Sequence, residues 1–525
     1  MTSQRSGWTV CRFTDADGNG WEPNDVPFSM RIPRAFTVAT AVVLLSLLAA
    51  SCSTSTDDST SPSSDDSGAS ASADTPTTTG AANAPTLADF PPAPDHPTTD
   101  ELPPEVLEDL GSVFSSLTGD VDRAALRRLG ESGDPRLAWL FMDILRFVPP
   151  GGVLSDTLVA AFEDVTGTQL EGGRSDWGAG TDYLLAWDTP APPNYVEFKR
   201  IVFELIEPAW RPFFDDADAD IDWRWVSWGG VLIDDRPLEQ TDFACPEGCI
   251  PALNDPALVE AGTDEDWLAD ERIVFGIEVD GVAVAFPRNM MEVHEMVNMT
   301  VAGRRIGMPY CTLCGSAQAY FTDVLDDLPA DDSLAALDAQ SSLELRTSGL
   351  LSRSNKVMYE FHTRSVFDTF TGAAVSGPLQ DTGLVLEQIS VITTTWADWK
   401  ADHPGSFLLA EDGGIGRTYN EDPLGGRDDN GPIFPIGTVD PRLDTQAPVI
   451  GVITSEGEAI AFPVAFADEA LRTGGEVTFG GIRIEATGGG FVATDADGAE
   501  IATHQAFWFA WSQFHPDTEL WLSDS

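Results

Sequence analysis

The sequence predicts an α+β protein in which an N-terminal helical region, residues 101–239, is followed by a β-rich α+β domain, residues 240–525. Apolar residues recur at helical spacing in the first region. Short β-like runs separated by Gly, Pro and Asp turns fill the second region. Two landmarks in the second region also occur twice in the same order, which predicts a degenerate internal duplication.

The chain is strongly acidic. Its 525 residues include 29 Lys and Arg against 85 Asp and Glu, a formal net charge of −56. Binding to nucleic acid through a basic surface needs clustered Lys and Arg, so the composition excludes that class of partner. A hydrophobic content of 42% is nevertheless that of a folded protein, and the acidic excess therefore describes the surface rather than the fold.

The first hundred residues precede both regions, and one part of them resembles a targeting segment. From Met30, two arginines lead into an apolar stretch of 16 residues, 35–50. That length is short for a membrane span and typical of a signal peptide. Small residues before Cys52 resemble the cleavage site of a bacterial lipoprotein. We therefore expect residues 30–52 to be a lipoprotein signal peptide and residues 1–29 to be a mis-called start.

A flexible tether is expected after the signal peptide. Residues 53–100 are a low-complexity run of Ser, Thr, Asp, Ala and Pro without apolar periodicity. Such a segment cannot bury enough surface to fold. With lipid on Cys52, the protein would be exported and anchored to the outer face of the cell membrane, and its membrane partner would be reached through that lipid.

The helical region is predicted from two patterns. Val106, Leu110, Val113 and Leu117 recur at helical spacing. Residues 124–148 then form two amphipathic helices broken at a Gly-Asp-Pro sequence, which is the form of a HEAT-like unit. Helix pairs of this kind are scaffolds, so we expect any protein partner to bind through this region.

The duplication in the second region is carried by two landmarks. Gly281–Pro287 returns as Gly457–Pro463, and the Trp399/His403 motif returns as a Trp and a His near the C-terminus. The first copy has the longer segment between its landmarks. That segment holds a Cys-x-x-Cys pair, whereas the second copy has no cysteine.

The β-rich domain holds four cysteines in two pairs. We expect Cys245 and Cys249 to form a local disulfide, because thiols outside the cytoplasm tend to be oxidised. Cys311 and Cys314 instead follow a methionine-rich segment that contains His294. The second pair is therefore the stronger candidate for chemistry.

Ligand chemistry favours a copper site around this second pair. Met290, His294 and Asn298 are spaced four residues apart and would share one face of a helix. Soft thiolate and thioether ligands select Cu(I), and imidazole joins them. The cysteine pair, His294, Met290 and Met308 thus predict a metal or redox site.

Other interpretations of Cys311 and Cys314 remain open. Together with Cys245 and Cys249 they would make a four-cysteine zinc site, although we prefer copper to zinc. They would also serve as a redox dithiol. A structural disulfide is the third alternative, with the methionines acting as core filler.

The sequence assigns no enzymatic reaction. It contains no hydrolase elbow serving a triad, no P-loop and no dinucleotide fingerprint. A rival function from another class is a non-catalytic envelope module, in which the helical region recruits a partner and the cysteines only stabilise the fold.

A series of short motifs surrounds and follows the second cysteine pair. The motifs are His294-Glu295-Met-Val-Asn298, Tyr310-Cys311-Thr-Leu-Cys314-Gly315, Ser348–Leu351, Ser354–Tyr359, Thr363–Ser365, Thr395–Trp396 and His403–Pro404. In this order they resemble the DUF3179 family, a domain of unknown function, over residues 240–525. Phe367 stands where the family usually has Trp, and Thr369 where it usually has Gln.

The resemblance implies no reaction, because the activity of the family is unassigned. It implies that seven further residues belong with Cys311, Cys314 and His294. They are Glu295, Asn298, Tyr310, Ser354, Asn355, Met358 and Tyr359.

Overall fold

The computed structural model describes residues 84–170, 175–237, 245, 248–426 and 431–522. The predicted mis-called start, the signal peptide with Cys52, and residues 53–83 of the predicted tether lie outside these ranges. Among the described residues, no helix combines the length and the apolar character that crossing a membrane requires.

Six α-helices build the N-terminal part of the described chain. They are α1 (Pro104–Ser116), α2 (Arg123–Gly130), α3 (Ala138–Leu145), α4 (Val153–Thr166), α5 (Asp176–Ala186) and α6 (Tyr195–Ile206). Of the apolar residues predicted to line α1, Val106, Leu110 and Val113 are buried, whereas Leu117 caps the end of the helix and is only partly buried. The helices therefore pack through the apolar faces that their spacing predicts.

The break between α2 and α3 lies where the Gly-Asp-Pro sequence predicts it. Gly133 has a φ of +71°, a left-handed conformation that favours glycine. The Asp134 carboxylate accepts a hydrogen bond from the backbone N–H of Arg136 and starts a short 3-10 turn. Pro135 lacks an N–H group and cannot continue a helix. The HEAT-like character of this pair stays a prediction.

Strands dominate the chain from residue 226 onward, and four short helices lie among them. The strands are β1 (Val226–Trp228), β2 (Leu253–Asn254), β3 (Leu258–Glu260), β4 (Ile273–Val279), β5 (Val282–Pro287), β6 (Met296–Val301), β7 (Arg304–Cys311), β8 (Ser316–Ala317), β9 (Ala319–Phe321), β10 (Leu345–Ser352), β11 (Asn355–Glu360), β12 (Val366–Asp368), β13 (Ala374–Ser376), β14 (Gln388–Ile389), β15 (Ile392–Thr395), β16 (Phe407–Leu409), β17 (Pro448–Ile453), β18 (Ala459–Pro463), β19 (Val477–Phe479), β20 (Ile482–Thr487), β21 (Gly490–Thr494), β22 (Glu500–Ile501), β23 (Thr503–Phe507) and β24 (Glu519–Leu520). The helices are α7 (Arg288–His294), α8 (Trp396–Asp402), α9 (Val464–Arg472) and α10 (Trp508–Phe514).

The described strands form five sheets. Their orders are β1-β10-β11-β12-β13, β14-β9-β7-β6-β2 with β8 beside β7, β15-β4-β5-β16-β3, β23-β17-β18-β24, and β19-β20-β21-β22. Helices and sheets occur together in one chain, and the predicted α+β class is confirmed.

Two of these sheets share one topology. In the first, β4 pairs antiparallel with β5 and β15, and β16 adds parallel to β5. In the second, β17 pairs antiparallel with β18 and β23, and β24 adds parallel to β18. A Cβ on Gly276 would overlap the Trp399 ring, and a Cβ on Gly451 would overlap Trp511 in the same way. The first landmark therefore forms an equivalent strand in both sheets, β5 and β18. The Trp of the second landmark packs on an equivalent glycine of each sheet.

The helical region and the β1-β10-β11-β12-β13 sheet share a hydrophobic core. Strand β1 pairs antiparallel with β10. Leu350 on β10, Val357 and Tyr359 on β11, and Val366 on β12 lie in the same buried cluster as the residues of α1 to α6. The other face of the β10–β11 pair approaches β6 and β7, which carry the predicted site.

Candidate functional site

Cys311 and Cys314 are brought together by the end of β7. Cys311 is the last residue of the strand, and Thr312–Cys314 forms a single 3-10 turn. Gly315 ends the turn with a φ of +57°, and Ser316 pairs back with Cys311 across β7 and β8. Both cysteines are free thiols with at most 2% of their surface exposed.

The two sulfurs share one hydrogen-bond partner and differ in the others. Cys311 Sγ lies 3.9 Å from the carbonyl of Ser354, to which Cys314 also donates. The backbone N–H of Lys356 donates to Cys311 Sγ at 3.4 Å. Cys314 Sγ donates to the carbonyl of Ser354 at 3.4 Å and lies 3.4 Å from Asn355 Oδ1. Burial raises the pKa of Cys314 well above its usual range, and a hydrogen bond with Cys311 adds to that rise. Cys314 therefore keeps its proton, while Cys311 also accepts a hydrogen bond, from Lys356.

The hairpin between β10 and β11 supplies these partners. Arg353 in the turn has a φ of +54°. This left-handed residue reverses the chain, so that Ser354 and Asn355 face the cysteines. The predicted association of Ser354 and Asn355 with the cysteine pair therefore has a direct structural basis.

A buried lysine and a buried glutamate lie beside the pair. Lys356 Nζ donates to the backbone carbonyl of Glu295 and lies 4.0 Å from its carboxylate. Burial lowers the pKa of Lys356 to about 8, and the charges of Glu295 and Cys311 oppose that shift. Burial also raises the pKa of Glu295, against the attraction of Lys356 and a hydrogen bond from Thr312.

The backbone at Glu295 explains why its carbonyl is available. Glu295 has a φ of +52° and ends α7. Its carbonyl points toward β7, where it accepts hydrogen bonds from the backbone N–H of Tyr310 at 2.9 Å and from Lys356. Since the helix ends here, Asn298 lies on strand β6 rather than on the helix face that its spacing predicts.

His294 has its own partners, apart from the cysteines. Its Nδ1 lies 2.8 Å from the carbonyl of Pro251, and its Nε2 lies 2.7 Å from the Tyr419 hydroxyl. Burial lowers the pKa of His294 to about 4. Both ring nitrogens are used in these contacts, which hold α7 against two loops.

The methionines proposed as ligands lie in a different hydrophobic cluster from the cysteines. Met290 and Met308 are fully buried with Leu253 and Phe275, whereas Cys311 and Cys314 pack with Phe370, Trp508 and Trp511. The reason is the alternation of β7, which points Met308 and Cys311 to opposite faces of the sheet.

The remaining motif residues connect elements of the fold. Asn298 donates to the carbonyl of Leu345 at 2.9 Å and links β6 to β10. The Tyr359 hydroxyl donates to the carbonyl of Asp234 at 2.6 Å. The Tyr310 ring packs against Phe275 in a tilted arrangement, with the ring centroids 4.8 Å apart, and Met358 is a core residue. These four residues tie together the strands and the core that position the site.

The segment that carries this geometry matches a family model. Residues 247–488 match DUF3179, described as a protein of unknown function. The predicted family resemblance is confirmed for the DUF3179 segment, which includes Cys311, Cys314 and every motif residue named above. No match to the chain was found among curated proteins or among solved structures.

The predicted disulfide between Cys245 and Cys249 is confirmed. Their sulfurs lie 2.11 Å apart, at bonding distance. A disulfide sulfur is not a thiolate ligand, so a zinc site that uses all four cysteines would need this bond to be reduced. Within the described ranges, no group of three or more His, Cys, Asp or Glu side chains is placed to hold a metal ion.

Sequence reasoning missed Lys356. The chain has only three lysines, Lys199, Lys356 and Lys400, and Lys356 directly follows the Ser354-Asn355 motif. Its rarity and position were the available signals. What the sequence did not show is that the β10–β11 hairpin lies against the end of β7.

Proposed function

We propose that the DUF3179 segment carries out thiol–disulfide exchange through Cys311 and Cys314, acting on disulfides outside the cytoplasm. The observation that carries this proposal is the pair of adjacent free thiols, which share the Ser354 carbonyl as a hydrogen-bond acceptor and differ in their other partners. Cys314 lies closer to that carbonyl and keeps its proton, whereas Cys311 also accepts a hydrogen bond from the backbone N–H of Lys356. One sulfur is thus suited to attack and the other to resolve.

The exchange is a two-electron reaction. The Cys311 thiolate attacks a disulfide, forms a mixed disulfide and releases one thiolate. Cys314 then attacks Cys311 Sγ and releases the second thiolate. The dithiol loses two protons and two electrons, and the substrate disulfide gains them as two thiols.

Copper(I) binding by the same pair is the second candidate. Soft thiolates select Cu(I), and the two sulfurs are adjacent. His294 has both nitrogens engaged, and Met290 and Met308 lie in another cluster. Copper in this arrangement would be held by the two cysteines alone, and zinc would lack its usual set of four ligands.

The setting of the proposed activity is the outer face of the membrane. The apolar stretch before Cys52 and the low-complexity run after it support a lipid-anchored protein on a tether. We also propose that the two sheets of like topology arose by duplication, and that α1 to α6 form a HEAT-like scaffold for a protein partner. The repeated Gly–Trp contact supports the duplication.

The proposal is tested on the mature chain with matched Cys311→Ser and Cys314→Ser variants. Each protein is incubated with glutathione disulfide, quenched with acid, alkylated and analysed by peptide mass spectrometry. We expect the wild-type protein to form a Cys311–Cys314 disulfide, and Cys314→Ser to accumulate a mixed disulfide on Cys311.

The two variants serve as each other's controls. Glutathione attached equally to both cysteines would contradict the assigned roles, and no reaction at either would refute the exchange function. An anaerobic Cu(I) titration with the same proteins tests copper. One metal ion bound per chain, lost in both variants, would support the second candidate.

A further inference from the structure

Lys356 contacts both Cys311 and Glu295 in the proposed site. Its backbone N–H donates to Cys311 Sγ at 3.4 Å, and its ammonium group donates to the carbonyl of Glu295. The Thr369 hydroxyl donates to the Lys356 carbonyl at 2.7 Å. The backbone and the side chain of this residue are therefore held in place.

The charge of Lys356 is costly where it lies. The residue is only 2% exposed, and burying an ammonium group is strongly unfavourable unless a partner compensates its charge. The nearest carboxylate, that of Glu295, is 4.0 Å away and makes no short ion pair. A carboxylate that only neutralised the lysine would be expected at hydrogen-bond distance.

The ammonium group of Lys356, whose charge Glu295 compensates incompletely, has Cys311 as a second neighbour. Cys311 lies directly beside Lys356, because the backbone N–H of Lys356 donates to its sulfur at 3.4 Å. The negative charges of Glu295 and Cys311 both act to raise the pKa of Lys356, against the effect of burial. A positive group beside a cysteine favours its thiolate, which is the form that attacks a disulfide. The hydrogen-bond acceptors of Cys314 are instead the oxygens of Ser354 and Asn355.

We propose that Lys356 is a positioning residue for thiol–disulfide exchange, whose ammonium group stabilises negative charge on Cys311 and so selects Cys311 as the attacking sulfur. This inference rests on the proposed function. Glu295 holds the ammonium through its carbonyl and moderates its charge through its carboxylate, and Thr312 orients that carboxylate with a hydrogen bond of 3.5 Å.

The bonds made and broken are those of the first exchange step. The Cys311 proton leaves to solvent, the thiolate forms a bond to one sulfur of glutathione disulfide, and the other sulfur leaves as glutathione thiolate. Lys356 forms no covalent bond and keeps its charge throughout.

The test compares rates of mixed-disulfide formation with glutathione disulfide in the Cys314→Ser background at pH 7. We expect Lys356→Met to slow the reaction at Cys311 at least tenfold and Lys356→Arg to restore most of the rate. The matched control is Lys400→Met, which removes a partly buried lysine paired with Asp266 and Asp270 and is expected to leave the rate unchanged.

Glu295→Gln separates a charge effect from a structural one. It removes the opposing carboxylate but keeps the carbonyl and Lys356, so we expect attack by Cys311 to be faster than in the parent. Loss of a merely structural ion pair would slow it or leave it unchanged. Urea unfolding shows whether each variant folds. If Lys356→Met does not fold, Glu295→Gln still tests whether the charge of Lys356 affects attack by Cys311.

The outcomes distinguish the two proposals. No reaction of the Cys314→Ser parent with glutathione disulfide refutes the exchange function itself. Reaction of the parent together with an unchanged rate in folded Lys356→Met, or with an unchanged or slower rate in Glu295→Gln, refutes the role of Lys356 alone.

Discussion

Replacing Gly276 with alanine is predicted to destabilise the first copy of the duplicated sheet. The residue lies on β4, where its backbone approaches the ring of Trp399. A Cβ at this position would lie well inside van der Waals distance of three ring carbons of Trp399. Carbon atoms normally approach to about 3.5 Å, so the ring or the strand must move.

The magnitude follows from what surrounds the ring. Trp399 is completely buried. It shares a core cluster with Val274, Ala285 and Leu408, and the His403 ring stacks on it at 3.8 Å. Overpacking of a filled core costs about 1–3 kcal/mol and occasionally more. Because a rigid indole must shift as a unit, we expect Gly276→Ala to cost about 3 kcal/mol.

The assay is urea unfolding followed by circular dichroism, with Gly451→Ala as the matched variant in the second copy. That residue meets Trp511 in the same way, so we expect a similar loss. The double variant Gly276→Ala with Trp399→Phe should show a favourable coupling of about 1 kcal/mol or more, since the smaller ring relieves the overlap. A cost below about 0.5 kcal/mol for Gly276→Ala would refute the reasoning.

Two further predictions concern acid stability and the mature N-terminus. Burial holds the pKa of His294 at about 4 in the folded protein, against about 6.5 when unfolded, so the unfolded state binds more protons between these values. The free energy of unfolding should therefore fall as the pH is lowered from about 6.5 to about 4. Between pH 7 and pH 4.5, the free energy of unfolding of His294→Gln, measured in urea, should fall by about 2.5 kcal/mol less than that of the wild type. Cys52, outside the described residues, should be the first residue of the mature protein and carry lipid, as intact-mass measurement would show, and Cys52→Ala should move the protein out of the membrane fraction.

Each of these predictions has a clear contrary result. Equal loss of stability on acidification in His294→Gln and the wild type would mean that other groups carry the pH dependence. A mature chain that begins before Cys52, or membrane association that survives Cys52→Ala, would remove the lipid anchor.

The local features of the fold were predictable because a few neighbouring residues encode them. The helix spacing of α1 and the Gly-Asp-Pro break after α2 need no distant contact. The Cys245–Cys249 disulfide follows from two cysteines four residues apart. The repeated Gly and Trp/His landmarks also marked the two sheets that share one topology.

The prediction that Met290, His294 and Asn298 share one helix face was wrong because of a single backbone angle. The spacing of Met290, His294 and Asn298 fits a helix, but Glu295 adopts a left-handed φ and the chain turns into β6. A non-glycine residue takes this conformation when tertiary contacts compensate its cost. Here the Glu295 carbonyl gains the hydrogen bonds from Tyr310 and Lys356.

The sequence alone was enough to select the Cys311–Cys314 pair, the α+β class and the family resemblance, because spacing and residue type carry that information. Only the tertiary structure decided which side chains meet the sulfurs. The alternation of β7 sends Met308 away from them, and the β10–β11 hairpin brings Lys356 to them. Such contacts depend on how strands from distant parts of the chain pair and pack, and no local pattern specifies that arrangement.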